Sequence, residues 1–286
     1  MKSWLDIAGK RLLLCGAGSR ARRFFRGFEA GEGEPFMTVR AELPGEEALP
    51  GGSEEELLFG MKVSRSCGDG SYRFEPKQGT GEYLLASADL TDCRLFSKAV
   101  ITGEVPRNRA DEPCWRGLIL SAFAARGALA GMLLAHASAV LFRGEAIVFT
   151  APSGSGKTTQ AELWKKYFGA EILNGDKVFI SREKDGFYAY GSPWAGSSPY
   201  RENRGAPLRA VIVLEKAEHN AIRALSDEEL LGSFVPNIFL PYWEEKLLTA
   251  ALGTLDELVS GVPVYLLTCR PDEEAVRKTK TVLFGN

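Results

Sequence analysis

Apolar and polar positions along the first third of the chain alternate in short bursts. The runs Arg11 to Cys15, Phe36 to Glu42, Met61 to Ser64, Ser71 to Glu75, Glu82 to Ser87 and Cys93 to Val100 read as strands, separated by Gly-rich and acidic connectors. Between the first two, Ala21, Phe24, Phe25 and Phe28 recur at helical spacing, which predicts a helix over Ser19 to Ala30. Pro44 to Glu56, with three glycines and five glutamates, reads as an exposed loop. The whole is a small strand-rich α+β domain over residues 1–110.

The pattern changes after Pro106 to Pro113, a polar stretch with Pro at each end. Trp115 to Leu134 is apolar and helical, and His136 to Phe142 then has strand character. A turn at Arg143-Gly144 leads into Glu145 to Thr150, a short β-branched run. Ala161, Trp164 and Phe168 share one face of a helix that follows. Next come two short strands around a polar corner at Asn174-Gly175-Asp176, a strand at Phe187 to Tyr190, and an aperiodic segment from Gly191 to Pro207. Arg209 to Glu215 and Ala221 to Ala224 resume strand character. Ser226 and Glu229 form a capping box, Tyr242 to Ser260 is an amphipathic helix stopped by Gly261 and Pro263, Val264 to Cys269 is a strand, and Pro271 stands to open the last helix. Residues 111–286 thus form a second, α/β domain.

The junction between the Glu145 to Thr150 strand and its helix carries the chemistry. Ala151-Pro-Ser-Gly-Ser-Gly-Lys-Thr-Thr159 has the spacing of a phosphate-binding P-loop, with Ala151 where the pattern usually has its first Gly. Glycines at 154 and 156 allow backbone conformations in which successive N–H groups ring a phosphate at a helix N-terminus. The cradle is Ser153, Gly154, Ser155, Gly156, Lys157, Thr158 and Thr159. Lys157 is expected to reach the β- and γ-phosphates of ATP, and the Thr158 hydroxyl to ligate Mg²⁺. Asp176, at the corner after the next strand, stands where such a protein holds its metal or its base.

Composition narrows the partners. Of 286 residues, 45% are hydrophobic and 25% charged, enough for real cores, while 35 Lys and Arg against 37 Asp and Glu leave no global field to recruit nucleic acid or an anionic membrane. Leu118 to Phe142 is broken by Arg126 and His136 and is too short in its uncharged part to span a bilayer. Five cysteines without C-x-x-C pairing, and no apolar segment after Lys2, point to buried thiols in a reduced cytoplasm. Self-association is left open.

Two other stretches compete for function. Gly16-Ala-Gly-Ser-Arg-Ala21 follows a strand and opens a helix, the fingerprint of a dinucleotide-binding turn, so an oxidoreductase is one alternative. Gly191 to Pro207 carries Trp194, Tyr200, Arg201 and Arg204, aromatic and basic groups suited to a substrate lid; Trp194, Arg201 and Arg204 are its candidate substrate contacts.

The order His136-Ala-Ser-Ala-Val, P-loop Lys157, then Asn174-Gly-Asp176 resembles the HPr kinase/phosphorylase-like proteins, which share a P-loop fold with phosphoenolpyruvate carboxykinases. The resemblance covers about residues 115–280. It implies a mixed-sheet α/β fold, the phosphate and Mg²⁺ cradle at Gly154, Gly156, Lys157 and Thr158, His136 beside the reacting phosphate, and Asp176 as the catalytic acid. It also implies transfer of a γ-phosphoryl group to a hydroxyl of a peptide, a small protein or a small molecule. The family usually has two adjacent aspartates at the corner, and Gly175 replaces the first. A non-catalytic nucleotide-binding or scaffold protein is therefore the other alternative.

Overall fold

The computed structural model describes residues 1–45, 54–56, 60–77, 81–103 and 114–285. Residues 46–53 of the expected acidic loop and the expected boundary at 106–113 lie outside them. The chain divides into two compact units, Met1–Ala130 with Leu240–Ala250 and Gly131–Phe239 with Ala251–Asn286. Both are mixed α/β structures.

The first unit holds strands β1 (Lys2–Ile7), β2 (Lys10–Cys15), β3 (Met37–Glu42), β4 (Glu54–Glu56), β5 (Met61–Arg65), β6 (Tyr72–Pro76), β7 (Tyr83–Ala86) and β8 (Asp92–Phe96). Its helices are α1 (Ser19–Phe24), α2 (Lys98–Thr102) and α3 (Trp115–Ala128). The strands form one sheet in the order β1-β2-β3-β8-β7-β6-β5-β4. β2, β3 and β8 run parallel, and the rest pair antiparallel.

Burial explains the pattern. Tyr72 and Phe74 alternate inward along β6, and α3, buried over most of its length, packs on β5, β6, β7 and β8. That packing puts Trp115–Ala128 with the first unit, so the units divide after Ala130 and not at 110.

Four local expectations change. β1 was not anticipated; it pairs with β2 through a turn in which Ala8 and Gly9 both take positive φ. The helix predicted to Ala30 stops at Phe24, before Gly27 at φ 90°. The run Cys93 to Val100 is strand only to Phe96, because the Ser97 side chain accepts from Val100 N and caps α2. Glu54–Glu56, expected as loop, pairs with β5 at the sheet edge.

The second unit contains β9 (Met132–Phe142), β10 (Glu145–Thr150), α4 (Lys157–Phe168), β11 (Glu171–Asn174), β12 (Lys177–Glu183), β13 (Gly186–Tyr190), β14 (Gly205–Lys216), β15 (Ala221–Ala224), α5 (Asp227–Ser233), β16 (Val264–Cys269) and α7 (Glu273–Phe284). Between the last strand pair, α6 (Glu245–Gly261) begins in the first unit and ends in the second.

Two long strands change partners midway. Met132–His136 of β9 pairs with β12, and Ala137–Phe142 pairs with β10. Gly205–Pro207 of β14 pairs with β13, whereas Leu208–Val213 lies parallel to β10. The path β10-β9-β12-β13-β14 therefore closes back on β10, with β16 and β15 continuing beyond β14 and β11 beside β9.

The tight β9–β10 hairpin turns through Arg143 and Gly144, both at positive φ. Fully buried Trp164 of α4 packs edge-on against Phe142, in a core shared with Phe149, Ile212 and Leu267. The capping box at Ser226 and Glu229 forms as read. Pro271, by contrast, precedes the cap: the Asp272 side chain accepts from Ala275 N and opens α7. Among the described residues, no helix is long and apolar enough to cross a membrane. All five cysteines are free, and Cys67 is exposed.

Candidate functional site

Residues 151–156 join the end of β10 to α4. Gly154 (φ 78°) and Gly156 (φ 99°) lie in the left-handed region, and a Cβ on either would meet nothing within 4 Å. Backbone conformation rather than crowding is what demands glycine here. Ala151, in the place of the usual first Gly, is fully buried in the core beneath the loop.

Lys157 is buried. Its Nζ folds back over its own loop and donates to the Ala151 carbonyl at 2.9 Å and the Pro152 carbonyl at 3.3 Å. Burial pushes its ammonium below the usual lysine range, with Asp176 pulling the other way. Ser138 Oγ of β9 donates to the Lys157 carbonyl at 2.8 Å, which ties the first turn of α4 to that strand.

The corner between β11 and β12 is built by a side chain the sequence reading passed over. Asn174, fully buried, accepts from Asp176 N (2.7 Å) and Lys177 N (2.8 Å) through Oδ1, and its Nδ2 donates to the Ser192 carbonyl at 2.8 Å. An Asn that bonds the backbone two and three residues ahead sets a turn, so the Asn-Gly-Asp order was the available signal.

The turn aims Asp176 at β9, where His136 stands at the point of partner change. His136 Nε2 lies 3.1 Å from Asp176 Oδ1, and Lys177 Nζ lies 2.6 Å from Oδ2. Burial raises the Asp176 carboxyl, but the hydrogen bond from His136 and the Lys177 ammonium outweigh it and hold the group down at about 2. Lys177 was also missed; a lysine opening the apolar run Val178-Phe-Ile180 was its trace in the sequence.

Thr158 Oγ1 donates to the Gly175 carbonyl at 3.1 Å, so the loop and the corner touch. A cavity of about 490 Å³ is lined by His136, Lys157, Thr158, Gly175, Asp176 and Glu162, with Ser153, Gly154, Gly156, Thr159 and residues 195–199 completing it. The structure thus brings the P-loop, the His and the acid to one place.

The segment after β13 does reach this cavity, though not by the residues expected. Trp194 is buried, edge-on to Phe179, and Arg204 pairs with Glu171 on the surface. The Arg201 backbone bridges to Asn174. None of these three lines the cavity; Ala195, Gly196, Ser197, Ser198 and Pro199 do. Close approach explains the small residues. A Cβ on Gly196 would stand 2.8 Å from Asp176 Oδ2, and a Cβ on Gly175 would fall within 3.0 Å of Ser198 Oγ and Cβ. Ser198 fills the space into which a side chain at 175 would point.

Among the described residues, no group of three or more His, Cys, Asp or Glu could by itself hold a metal ion. Thr158 and Asp176, the hydroxyl and the carboxylate expected to hold Mg²⁺, lie in the same cavity, a pair that Mg²⁺ arriving with phosphate oxygens and water could use.

The other glycine-rich turn is occupied by protein. β2 and β3 are parallel, as a dinucleotide unit requires, but Gly18 N donates to the Val100 carbonyl at 2.9 Å. A Cβ on Gly18 would also fall within 3.0 Å of the Ile101 carbonyl oxygen. Carbonyl oxygens from the end of α2 stand where a pyrophosphate would need donors, and α1 is only six residues long.

No protein-family model matches the chain, and no curated protein matches it. Solved structures that match include the Hpr(Ser) kinase/phosphatase from Coxiella burnetii, at 13% identity and a TM-score of 0.32, over 53% of this chain and 93% of that one.

Proposed function

We propose that the chain binds ATP with Mg²⁺ through Ser153–Thr159 and is a kinase that transfers the γ-phosphoryl group to a hydroxyl. The fold reading that goes with it is a mixed-sheet P-loop domain of the HPr kinase and phosphoenolpyruvate carboxykinase type. The observation that carries the proposal is the shared cavity: Lys157 and Thr158 of a phosphate loop face His136 and Asp176 across it. Phosphoryl transfer depends on positioning and charge neutralisation more than on covalent chemistry.

Each group has a part in that task. The loop's backbone donors and Lys157 hold the phosphates, which releases Lys157 Nζ from the two carbonyls it now caps. Thr158 and Asp176 would hold the Mg²⁺ that comes with the nucleotide, which would supply charge neutralisation to the phosphates. Asp176 is the carboxylate placed to take the proton of the incoming hydroxyl, and His136, whose Nε2 lies 3.1 Å from its Oδ1, assists as its hydrogen-bond partner. The acceptor is a Ser or Thr of a peptide or small protein, or a small molecule, received in the cavity that residues 195–199 help to line.

Calorimetry with Mg-ATP tests the site. Wild type is expected to bind and Lys157→Ala to lose roughly 10- to 100-fold in affinity, the worth of a charge-assisted contact to phosphate. Equal affinities would place the nucleotide elsewhere. A second reading, a nucleotide-binding protein without catalysis, has its own support: both Asp176 oxygens already have partners, and Ser198 blocks a second acid at 175. Mass spectrometry of candidate hydroxyl-bearing peptides incubated with Mg-ATP separates the two; tight binding without transfer to any acceptor favours the second.

A further inference from the structure

Residues 195–199 hold a serine of the chain itself against the cavity. Ala195-Gly-Ser-Ser198 is a tight turn: Ser198 N donates to the Ala195 carbonyl at 2.9 Å, and Gly196, at φ 58°, supplies a residue in the left-handed region. The turn is fastened on both sides. Before it, Trp194 is buried and its N–H donates to Ser192 Oγ at 3.2 Å; after it, the Arg201 backbone bridges to Asn174. Its tip therefore lies against the corner between β11 and β12, so close that a Cβ on Gly196 would stand 2.8 Å from Asp176 Oδ2.

Ser198 is half-buried and lines the cavity with Lys157, Thr158 and Asp176. Its Oγ accepts from Tyr200 N at 3.3 Å and, among the described residues, gives its own proton to no acceptor. The space beside Gly175 locates it: Ser198 Oγ lies within 3.0 Å of where a Cβ on Gly175 would stand, and Thr158 Oγ1 lies 3.8 Å from the same point. A hydroxyl with an ungiven proton thus shares one small space with the hydroxyl expected to hold Mg²⁺, beside the carboxylate of the site. Ser197, the other hydroxyl of the turn, is exposed, and no hydrogen bond fixes its side chain among the described residues. An acceptor that is already held in the cavity needs no binding step, so positioning alone favours it over one that must enter from solution.

We infer that Ser198 is a modification site of the protein's own making: with Mg-ATP bound, the site transfers the γ-phosphoryl group to Ser198 of the same chain. The inference rests on the kinase reading above and names one acceptor for it. Ser198 Oγ forms a bond to the γ-phosphorus, the bond from that phosphorus to the oxygen bridging it to the β-phosphate breaks, the electron pair leaves on ADP, and the hydroxyl proton passes to Asp176. The phosphoserine adds roughly two negative charges beside Asp176, in the cavity that the γ-phosphate of the next nucleotide must enter. Self-modification therefore weakens the site for a second turnover.

The test is incubation of the purified full chain with Mg-ATP labelled in the γ-phosphate, followed by intact-mass measurement and peptide mapping. Wild type is expected to approach one phosphoryl group per chain, mapped to Ser198, so the site is read without relying on any variant to fold. Asp176→Asn is expected to be labelled at least roughly 100-fold more slowly, the lower range for loss of a general base. Transfer within one chain predicts a rate constant unchanged on dilution, and no label on Lys157→Ala when it is mixed with Ser198→Ala. The phosphorylated chain is expected to bind Mg-ATP at least roughly tenfold more weakly than the unmodified one, as like charges brought together in a partly buried site require. Label on another residue, label on the Lys157→Ala chain in the mixture, or unchanged affinity after full phosphorylation would overturn the inference. No label on wild type, with Mg-ATP bound through Lys157, would also overturn it and leave the nucleotide site standing, whereas absence of any nucleotide binding would sink both readings together.

Discussion

Gly175→Ala is the most informative single change in the corner, because the structure separates its steric cost from every other cause. The backbone at 175 is outside the left-handed region, so an alanine there carries no conformational penalty. What it meets is Ser198, whose Oγ and Cβ both lie within 3.0 Å of the new methyl, while Thr158 Oγ1 at 3.8 Å is in ordinary contact. Overpacking of this kind costs about 1–3 kcal/mol. Ser198→Gly removes both obstructing atoms, so the same alanine placed in that background is expected to cost less than about 0.5 kcal/mol. Ser198→Ala keeps the Cβ and is expected to relieve only part of the cost. Urea unfolding of the two single variants and the double variant, analysed as a double-mutant cycle, measures a coupling of about 1–3 kcal/mol. Additive costs, or an alanine tolerated freely with Ser198 intact, would refute the packing of residues 195–199 against the corner. Gly175→Asp meets the same wall, so a second carboxylate is expected to build no metal site until Ser198 is also replaced.

Two further outcomes follow from the site. The Asp176 carboxyl is held at about 2 against 3.8 in the unfolded chain, so its contribution is present in full above pH 4 and is lost as pH falls through 2. The contribution is on the order of 2 kcal/mol, and acid titration of stability is expected to show this fall in wild type and a flatter profile between pH 4 and 2 in Asp176→Asn. Arg204 pairs with Glu171 on the surface, so Arg204→Ala is expected to change stability by less than about 1 kcal/mol and to leave Mg-ATP affinity unchanged in calorimetry; a large loss of affinity would return Arg204 to the site.

The elements nearest the phosphate loop were legible because each is encoded locally. β10 is a short β-branched run, α4 has its apolar face at Ala161 and Trp164, and the hairpin turn needs only Arg143-Gly144. What the sequence hid was set by partners distant in the chain. Glu54–Glu56 has poor strand propensity and is strand only because β5 offers it an edge. Trp194 looks like a ligand-stacking aromatic until Phe179 is seen beside it. Gly18, read as room for a pyrophosphate, is room for the carbonyl oxygens of α2. Asp176, expected from its place in the order of motifs, does line the cavity, but Lys177, Asn174 and Ser198 were not anticipated, since nothing in a linear reading says which side chains a corner will turn toward one another.

The two strands that change partners decide when, during synthesis, the protein acquires its site. A nascent chain that has emerged through Phe168 already displays the whole phosphate-loop sequence, yet it has neither β12 to draw His136 toward Asp176 nor β14 to hold the outer edge of β10. Closures between segments so far apart in sequence are slow steps of folding. The ring of strands beside the cavity is therefore complete only once Gly205–Lys216 has joined β10.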